Sequence, residues 1–400
     1  MAERWPSIPL GDIATVFDGP HATPKKTQDG PWYLSISSLR NGTVDLSESA
    51  HLSEDDYPRW VKRVTPQPGD TLFSYETRLG EAGHWDLNEP AALGRRMGLL
   101  RPNRERVDPR FLTYTYLGPH FQRLIESRKV QGATVERILI ADLPKWPIPL
   151  PPLDVQRRIA GVLGNLDELI ELNQRLAATL DEEVRLLGNH LMTSALPFER
   201  RPFSEIAEIQ KGYSYKSAEL VPDGKWLINL KNIGRDGSFQ ERGFKPLSGA
   251  PKASQVIENG DIVVSQTDLT QSRDVIARPV RIRRSGRIGE LVASLDLVIV
   301  RPKHGVTREF LHAVLSQPEF REHALGYCNG TTVLHMGTKA LPEYKAPVPD
   351  VSTIRAFSEQ VSPLLEAADG LLDEARDLKR TRDELLPLLM SGQVSPGEVA

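Results

Sequence analysis

The feature that most constrains this chain is an internal duplication with a period of nearly half its 400 residues. Six separated segments recur in the same order, with offsets between 191 and 200 residues. This period is far too long for a solenoid and indicates two copies of one domain. The matching segments are LGDIATVFDG with FSEIAEIQKG (from residues 10 and 203), WYLSISSLRNG with WLINLKNIGRDG (32 and 226), PGDTLFS with NGDIVVS (68 and 259), LLRP with VIVRP (ending at 102 and 302), FLTYTYLGPHFQ with FLHAVLSQPEFR (111 and 310), and QGATVERILIADLPKWPIPLPP with NGTTVLHMGTKALPEYKAPVPD (131 and 329).

The sequence pattern within each copy predicts a small α+β domain. Short β-rich runs such as TLFSYE and LDLVIVRP are separated by Gly, Pro and Asn turns, as in a mixed sheet. A helix follows the sheet, near residues 109–129 in the first copy and 307–326 in the second. A proline-rich segment then ends strand pairing. We therefore predict two mixed α/β domains, at residues 1–150 and 199–350.

A long helix is predicted after each domain. Apolar residues recur at alternating spacings of four and three from Ile159 to Leu191, and 198 residues later from Phe357 to Leu389. This spacing is typical of a coiled-coil seam. We predict spacer helices at 151–198 and 351–392, followed by a tail at 393–400. We expect the two helices to pair in an antiparallel coiled coil. In that arrangement two copies of one unit face each other across a pseudo-twofold axis. The residues expected to form the seam or bind a partner beside it are Leu163, Leu166, Leu169, Ile170, Asn173, Leu176, Leu180, Leu187, Val361, Leu364, Leu371, Leu378 and Leu385.

Two positions in these helices leave alternatives open. Asn173 at a seam position either specifies the register of the pair or faces water. Pro363 lies inside the second seam, where a proline costs about 3 kcal/mol in a helix interior. The second helix therefore either runs through Pro363 or begins there, with Ser362 as its cap.

Charge and cysteine content limit the classes of protein to which this chain can belong. The formal net charge is −3, so the chain as a whole is not basic. The net charges of residues 1–150, 151–200, 201–350 and 351–400 are 0, −3, +4 and −4. The only cysteine, Cys328, excludes a disulfide framework and fits a reducing compartment. Because no apolar stretch approaches a signal peptide or a membrane span, we expect a soluble cytoplasmic protein.

The duplicated LGDIATVFDG and PGDTLFS segments, and the PPLDVQRRIA sequence at the start of a long helix, resemble the DNA specificity subunits of type I restriction-modification systems. The resemblance covers essentially the whole chain. It implies that each copy is a target-recognition domain reading one half of a split sequence in double-stranded DNA. It also implies that the helices act as a spacer and dock methyltransferase subunits, with two expected. One departure is Ile354, which stands where the first helix has Gln156.

The resemblance further implies a subunit without an active site of its own. S-adenosylmethionine, and ATP with Mg²⁺ where a restriction and translocation subunit is present, are expected on the partners. In agreement, the chain has no G-x-G-x-x-G, no Walker A lysine loop and no Asn-Pro-Pro-Tyr sequence. Two alternatives stay open: a coiled-coil scaffold with two protein-binding modules, and a stand-alone nuclease, for which only scattered carboxylate–lysine pairs are present. No metal site is predicted, because the histidines lack ligand spacing.

Four kinds of position are candidates for DNA contact, since cations bind phosphates and polar side chains read base edges. They are cationic and aromatic loop residues, residues that diverge between the copies after the Gly-Asp strand, turns retained in both copies, and the arginine-rich run RPVRIRRSGR. The alternative for each is an ordinary exposed turn or a solvated charge. The candidates are Lys25, Lys26, Gln28, Tyr75, Thr77, Arg78, Gly132, Thr134, Tyr213, Tyr215, Lys216, Gln266, Thr267, Arg281, Arg283, Thr331 and Thr332.

Overall fold

The computed structural model describes residues 5–40, 42–130, 135–241, 243–269, 272–283, 289–330 and 333–398. The chain divides into two units. The first consists of Met1–Glu171 with Arg376–Ala400, and the second consists of Leu172–Ala375. Each unit thus contains one copy of the repeat together with a segment of each long helix.

The first copy alternates short strands with short helices and ends at the first long helix. Its elements are β1 (Ser7–Pro9), β2 (Ala14–Asp18), β3 (Thr27–Leu34), β4 (Leu39–Arg40), β5 (Thr43–Val44), β6 (Ala50–His51), α1 (Tyr57–Trp60), β7 (Asp70–Ser74), β8 (Ala82–Trp85), β9 (Ala91–Leu93), β10 (Met97–Pro102), α2 (Pro109–Leu117), α3 (Pro119–Arg128), β11 (Pro147–Pro149) and α4 (Leu153–Thr193).

The second copy follows the same plan and ends at the second long helix. Its elements are β12 (Glu199–Pro202), α5 (Phe203–Ile206), β13 (Ala207–Lys211), β14 (Lys225–Ile228), β15 (Lys245–Leu247), β16 (Ile262–Ser265), β17 (Thr267–Asp268), β18 (Pro279–Arg281), β19 (Glu290–Ala293), β20 (Leu297–Pro302), α6 (Arg308–Leu315), α7 (Pro318–Leu325), β21 (Cys328–Asn329), β22 (Leu334–Met336), α8 (Ala340–Glu343), β23 (Lys345–Val348) and α9 (Val351–Met390).

The sheets confirm the duplication strand by strand. An antiparallel four-stranded sheet has the order β2-β10-β7-β8 in the first copy and β13-β20-β16-β18 in the second. A mixed three-stranded sheet, with one antiparallel and one parallel neighbour, has the orders β6-β3-β9 and β15-β14-β19. The predicted α+β class is therefore correct for both copies.

The repeated Gly-Asp sequence has a structural role in both copies. Asp70 is 2% exposed, and its carboxylate lies 2.7 Å from Nη2 of Arg101 on the neighbouring strand β10. Asp261, which is fully buried, makes the equivalent pair with Arg301 of β20 at 2.6 Å. Each carboxylate also accepts a backbone N–H from the turn before it, at 2.8 and 2.9 Å. The shared Asp and Arg thus fasten this turn to the sheet.

An aromatic pair recurs in the two cores. The rings of Phe121 and Trp146 have centroids 5.3 Å apart in the first copy. Phe320 and Tyr344 occupy the equivalent places, with centroids 5.2 Å apart. Tilted and edge-to-face arrangements at such distances stabilise aromatic pairs beyond their buried area. Each pair joins the short helix after the sheet to the segment that leads into the long helix.

The long helices pack antiparallel in each unit. In the first unit, Asp167 of α4 pairs with Arg382 of α9 at 2.6 Å, and Leu163 shares a core with Leu389. In the second unit, the residues that pack together near the end of α4 and the beginning of α9 are Val184, Leu187, Leu191, Ile354, Phe357 and Val361. The predicted antiparallel direction of the helix pair is found within each unit, and the individual seam residues stay a prediction.

The second helix begins well before Pro363. Asp350 caps it, because its Oδ1 accepts the backbone N–H of Thr353 at 3.0 Å. Hydrogen bonds from Ser352 and Thr353 lower the pKa of Asp350 to about 2. The helix then runs through Pro363 and Pro387 to Met390. The cap and the packing of the first turns therefore outweigh the loss of one backbone hydrogen bond at Pro363.

Candidate nucleic-acid interface

In the first copy, two segments that carry separate candidates lie side by side. The backbone N–H of Thr77 donates to the carbonyl oxygen of Glu136 at 3.1 Å. The N–H of Ile138 donates in turn to the carbonyl of Tyr75 at 3.0 Å. The segment after strand β7 is thereby joined to the segment that follows the predicted turn at Gly132 and Thr134. Those two turn residues lie outside the described residues.

The second copy contains the same juxtaposition. Strand β17 pairs antiparallel with β22, and the N–H of Met336 donates to the carbonyl of Gln266 at 2.8 Å. The predicted turn residues Thr331 and Thr332 lie outside the described residues. We name residues 75–78 with 135–138, and 266–268 with 333–336, the divergent edge of each copy. The same backbone pairing in both copies presents different side chains.

The first divergent edge presents Thr77 at its surface. Thr77 is exposed and has a φ of 73°, a left-handed conformation that is strained for a β-branched residue. Arg78 is also exposed, and it donates to the carbonyls of Ile36 and Leu39 at 3.1 and 3.2 Å. Tyr75, in contrast, is only 6% exposed, and burial followed by the charge of Asp18 raises the pKa of its phenol. Contact with DNA stays a prediction for Tyr75, whose burial favours a core role.

The second divergent edge is built around buried polar groups. Thr267 is 5% exposed and donates to the carboxylate of Asp296 at 2.8 Å. The fully buried Asp268 accepts the backbone N–H groups of Val275 and Ile276 at 2.8 and 3.0 Å. Gln266 is partly exposed at the beginning of this edge. Asp268 therefore organises the loop that follows β17.

Arginines that the sequence patterns did not single out lie within the first divergent edge and beside it. Arg96 has a φ of 70°, pairs with Glu76 at 3.1 Å, and donates to the hydroxyl of Thr77 at 3.4 Å. Arg137 is exposed and its backbone is bridged to Glu76, while the exposed Arg95 lies next to Arg96. The two adjacent arginines, Arg95 and Arg96, are the only feature of the sequence that could have indicated this cationic surface. The sequence does not show that they lie close to Thr77.

The aromatic and cationic loop candidates lie beside the three-stranded sheets, and of them only Gln28 is in a strand. The ammonium group of Lys26 is 5.9 Å from the ring centroid of Tyr33, and the Tyr33 hydroxyl accepts the N–H of Arg95 at 3.3 Å. Lys25 and Gln28 are exposed nearby in the chain. The first copy therefore connects its loop candidates to the arginines beside the divergent edge.

In the second copy, the loop residue Tyr215 contacts a lysine of strand β15. The Nζ of Lys245 is 5.4 Å from the centroid of Tyr215 and 3.2 Å from its hydroxyl. Tyr213 donates its hydroxyl to Glu219 at 2.7 Å, and Lys216 is exposed. Cation–π contacts of this kind occur in both loops, but with different residues.

The arginine-rich run is held by carboxylates of the long helices. Arg281 makes a bidentate pair with Asp369 of α9 at 2.9 and 2.6 Å. Arg283 pairs with Asp181 of α4 and, at 3.1 Å, with Asp369. The two arginine side chains are 16% and 20% exposed. Contact with DNA stays a prediction for both, and these ion pairs favour a structural role.

The same ion pairs face a histidine on α6. Removal of the His312 ring from water, followed by the charges of Arg281 and Arg283, lowers its pKa to about 4. His312 is therefore neutral at physiological pH. A cavity of about 740 Å³ lies against these groups, between α4, α6 and the loop at residues 236–239.

The seam candidates on the long helices differ in how much of each side chain is exposed to solvent. Leu163 is fully buried, Asn173 is 7% exposed, and Val361 is fully buried. Leu169 and Leu176 are 46% and 41% exposed beside the seam. The other seam candidates are partly buried, namely Leu166, Ile170, Leu180, Leu187, Leu364, Leu371, Leu378 and Leu385. On α4, Leu169 in the first unit and Leu176 in the second therefore expose apolar side chains, and their contact with a partner stays a prediction.

Two further properties concern only the described part of the chain. No group of three or more His, Cys, Asp or Glu side chains in it is arranged to hold a metal ion. Within the same ranges, no helix combines the length and apolar character needed to cross a lipid bilayer.

Comparison with known proteins agrees with this architecture. Residues 2–182 match the family model described as the type I restriction modification DNA specificity domain. The chain is 23% identical over 425 residues to the type I restriction enzyme MjaVIII specificity subunit of Methanocaldococcus jannaschii, with 98% of this chain and 94% of that protein covered. It is 20% identical over 468 residues to the type I restriction enzyme HindI specificity subunit of Haemophilus influenzae, with 98% and 99% covered.

The fold is also found in a solved structure. The crystal structure of the type I restriction-modification system S subunit from M. genitalium aligns with a TM-score of 0.57 and 17% sequence identity. The alignment covers 97% of this chain and 96% of that protein. The sequence matches, together with the duplicated domains that are each followed by a long helix, confirm the resemblance predicted from the repeated segments. Residues 2–182 match the type I restriction modification DNA specificity domain, and 98% of the chain is similar to specificity subunits of type I restriction enzymes.

Proposed function

We propose that the two domains, at residues 1–150 and 199–350, each read one half of a split DNA sequence. The observation that carries this proposal is the divergent edge, which has one backbone arrangement in both copies but different side chains. A shared frame with different surface groups is what two half-sites of different sequence require. The chain selects the site, while partner subunits carry out the chemistry.

Within each domain, affinity and sequence reading have different sources. The exposed cations Lys25, Lys26, Arg95, Arg137 and Lys216 supply charge for phosphates, which carry no sequence information. Thr77 with Arg78, and Gln266 at the second edge, supply polar groups that can bond to base edges. Gly132, Thr134, Thr331 and Thr332 come shortly before these edges in the sequence. We therefore expect the base-reading side chains to lie within the two divergent edges.

The spacer helices within 151–198 and 351–392 provide the docking surface for methyltransferase subunits, of which we propose two. The exposed side chains of Leu169 and Leu176 offer apolar area on α4 for such a subunit. S-adenosylmethionine, and ATP with Mg²⁺ where restriction subunits join the complex, belong to those partners. We place this activity in the cytoplasm. A chain with one cysteine forms no internal disulfide and so requires no oxidising compartment.

The direct test is single-molecule sequencing of modified bases in host DNA with the gene intact, deleted and restored. We expect a split motif whose adenine methylation disappears on deletion and returns on restoration. An unchanged modification map, obtained while the protein still co-purifies with a methyltransferase, would contradict the proposal. An unchanged map without a methyltransferase partner would instead favour the coiled-coil scaffold.

A further inference from the structure

The second unit contains a partly buried polar joint between its domain and both long helices. Arg281 lies at the end of strand β18, and Arg283 follows two residues later. Their guanidinium groups meet Asp369 of α9, and Arg283 also pairs with Asp181 of α4. Three separate parts of the fold, namely the sheet, α4 and α9, therefore meet at one cluster of four charges.

The geometry of this cluster fixes orientation as well as distance. The Arg281–Asp369 pair is bidentate: Nη1 of Arg281 donates to Oδ1 of Asp369 at 2.9 Å, and Nη2 donates to Oδ2 at 2.6 Å. Such planar pairs hold two groups at a defined angle. Asp369 is 22% exposed and Asp181 is 38% exposed, so the pairs are partly shielded from solvent. Shielding makes them far less sensitive to salt than surface pairs.

The first unit has a joint of the same kind made from different groups. The Tyr114 hydroxyl of α2 donates to Asp167 of α4 at 2.6 Å. Arg382 of α9 donates to the other oxygen of Asp167, also at 2.6 Å. Here too one carboxylate connects the domain to both helices. The domain contributes a neutral hydroxyl in the first unit and two cations in the second.

We propose that Arg281 and Arg283 are positioning residues that set the orientation of the second domain on its helical segments, and thereby the number of base pairs allowed between the two half-sites. This inference rests on the proposed reading of a split sequence. The joint acts through the placement of the domain and does not choose the bases. Successive base pairs are about 3.4 Å apart along each strand, so a small shift of the domain is enough to change the spacing by one pair.

The test compares Asp369→Asn with the parent chain in the assembled methyltransferase complex. The substitution removes the charge that both arginines share while keeping the side-chain size. The substrates are duplexes that carry the parent half-sites with spacers one base pair shorter, unchanged and one base pair longer. Methylation rates on these duplexes measure spacing, and rates on duplexes with single half-site changes measure base preference.

The matched control is Glu182→Gln, one residue from Asp181. Glu182 is 52% exposed and its carboxylate pairs with Arg185 on the same helix, so it does not belong to the joint. We expect Asp369→Asn to lower the preference for the parent spacing over its neighbours by about tenfold or more, with base preference unchanged. The control should keep the parent preference.

Several results would overturn the inference. An assembled Asp369→Asn complex with the parent spacing preference would do so, as would a variant that changes base and spacing preferences equally. If Asp369→Asn fails to assemble, Asp181→Asn decides, because it leaves the Arg281–Asp369 pair intact; an unchanged spacing preference there would reject the joint. A parent complex that methylates no split sequence would reject the proposed function and this inference with it.

Discussion

The two domains share one frame, but they are fastened to the long helices by different chemistry. In the first unit, Gln156 near the beginning of α4 is 1% exposed, and its Oε1 accepts the N–H of Asp108 at 2.9 Å. Its Nε2 donates to the carbonyls of Arg106 and Pro151 at 3.2 and 2.8 Å. One buried amide thus ties the turn before α2 to the helix.

In the second unit, Ile354 occupies the place of Gln156, is also 1% exposed, and packs into the core. The polar connection moves to the hydroxyls of Thr307 and Ser358, which are 2.6 Å apart. Thr307 caps α6 as Asp108 caps α2. The comparison shows that the duplicated frame tolerates different connections, provided that the capping residue of the domain helix is held against the long helix.

The largest expected effect tests the part of the frame that both copies share. Arg101→Met and Arg301→Met each leave a buried aspartate without its arginine, which costs about 3–5 kcal/mol in the free energy of unfolding. The loss should be smaller for Arg301→Met, because Arg308 remains 3.2 Å from Asp261. Hydrogen exchange in increasing urea, followed separately in each unit, measures both losses. An equal or larger loss for Arg301→Met would contradict this assignment.

The next effect tests the different connections by exchanging them. Ile354→Gln places an amide in an apolar environment and should destabilise the second unit by about 3 kcal/mol. Gln156→Ile leaves three backbone groups unpaired and should destabilise the first unit by about 2–3 kcal/mol. The same unit-resolved hydrogen exchange provides the measurement. If either exchange is tolerated without loss, the two connections are not specific to their own units.

A pH effect is expected in the second unit through His312. In the unfolded chain its pKa is near 6.5, whereas in the folded unit it is about 4. The unfolded state therefore binds more protons between these values, so stability is complete above about pH 6.5 and decreases as the pH falls towards 4. Relative to pH 7, the loss at pH 5 should be about 2 kcal/mol. Urea unfolding at several pH values should show this loss, and His312→Gln should remove it; an unchanged pH profile in that variant would be the contrary result.

The smallest effect concerns the seam. Asn173 is buried, and its Nδ2 has no hydrogen-bond partner among the residues that the structure describes. Asn173→Leu should therefore raise the stability of the helix pair by about 1 kcal/mol while weakening the preference for one register. Thermal unfolding tests the first expectation, and a lower Tm for Asn173→Leu would contradict it.

Much of the frame could be predicted from the sequence, because repetition and apolar spacing are visible in it. The two copies, their α+β class, the long helices and the family resemblance follow from segments that can be aligned by eye. The course of α9 through Pro363 could not be decided, because it depends on the cap at Asp350 and on packing. Sequence spacing alone does not show which of these effects is larger.

The site was less accessible to sequence reasoning. The pattern at Arg281 and Arg283 indicated two cations on one face of a strand, but their partners Asp181 and Asp369 lie about 100 and 90 residues away. The pattern could not distinguish arginines that face DNA from arginines that face helix carboxylates. Similarly, Arg96 donates a hydrogen bond to Thr77 from a left-handed backbone conformation that the sequence does not indicate. Contacts between distant segments decide these roles.

The most direct test of the account is the methylated motif of two variants, Thr77→Asn and Gln266→Asn, mapped by single-molecule sequencing beside the parent. Asparagine tolerates the left-handed backbone at residue 77 and keeps a polar group at both positions. If each divergent edge reads its own half-site, Thr77→Asn alters one half of the motif and Gln266→Asn alters the other. Two variants that alter the same half, or that both leave the motif unchanged, would contradict the account.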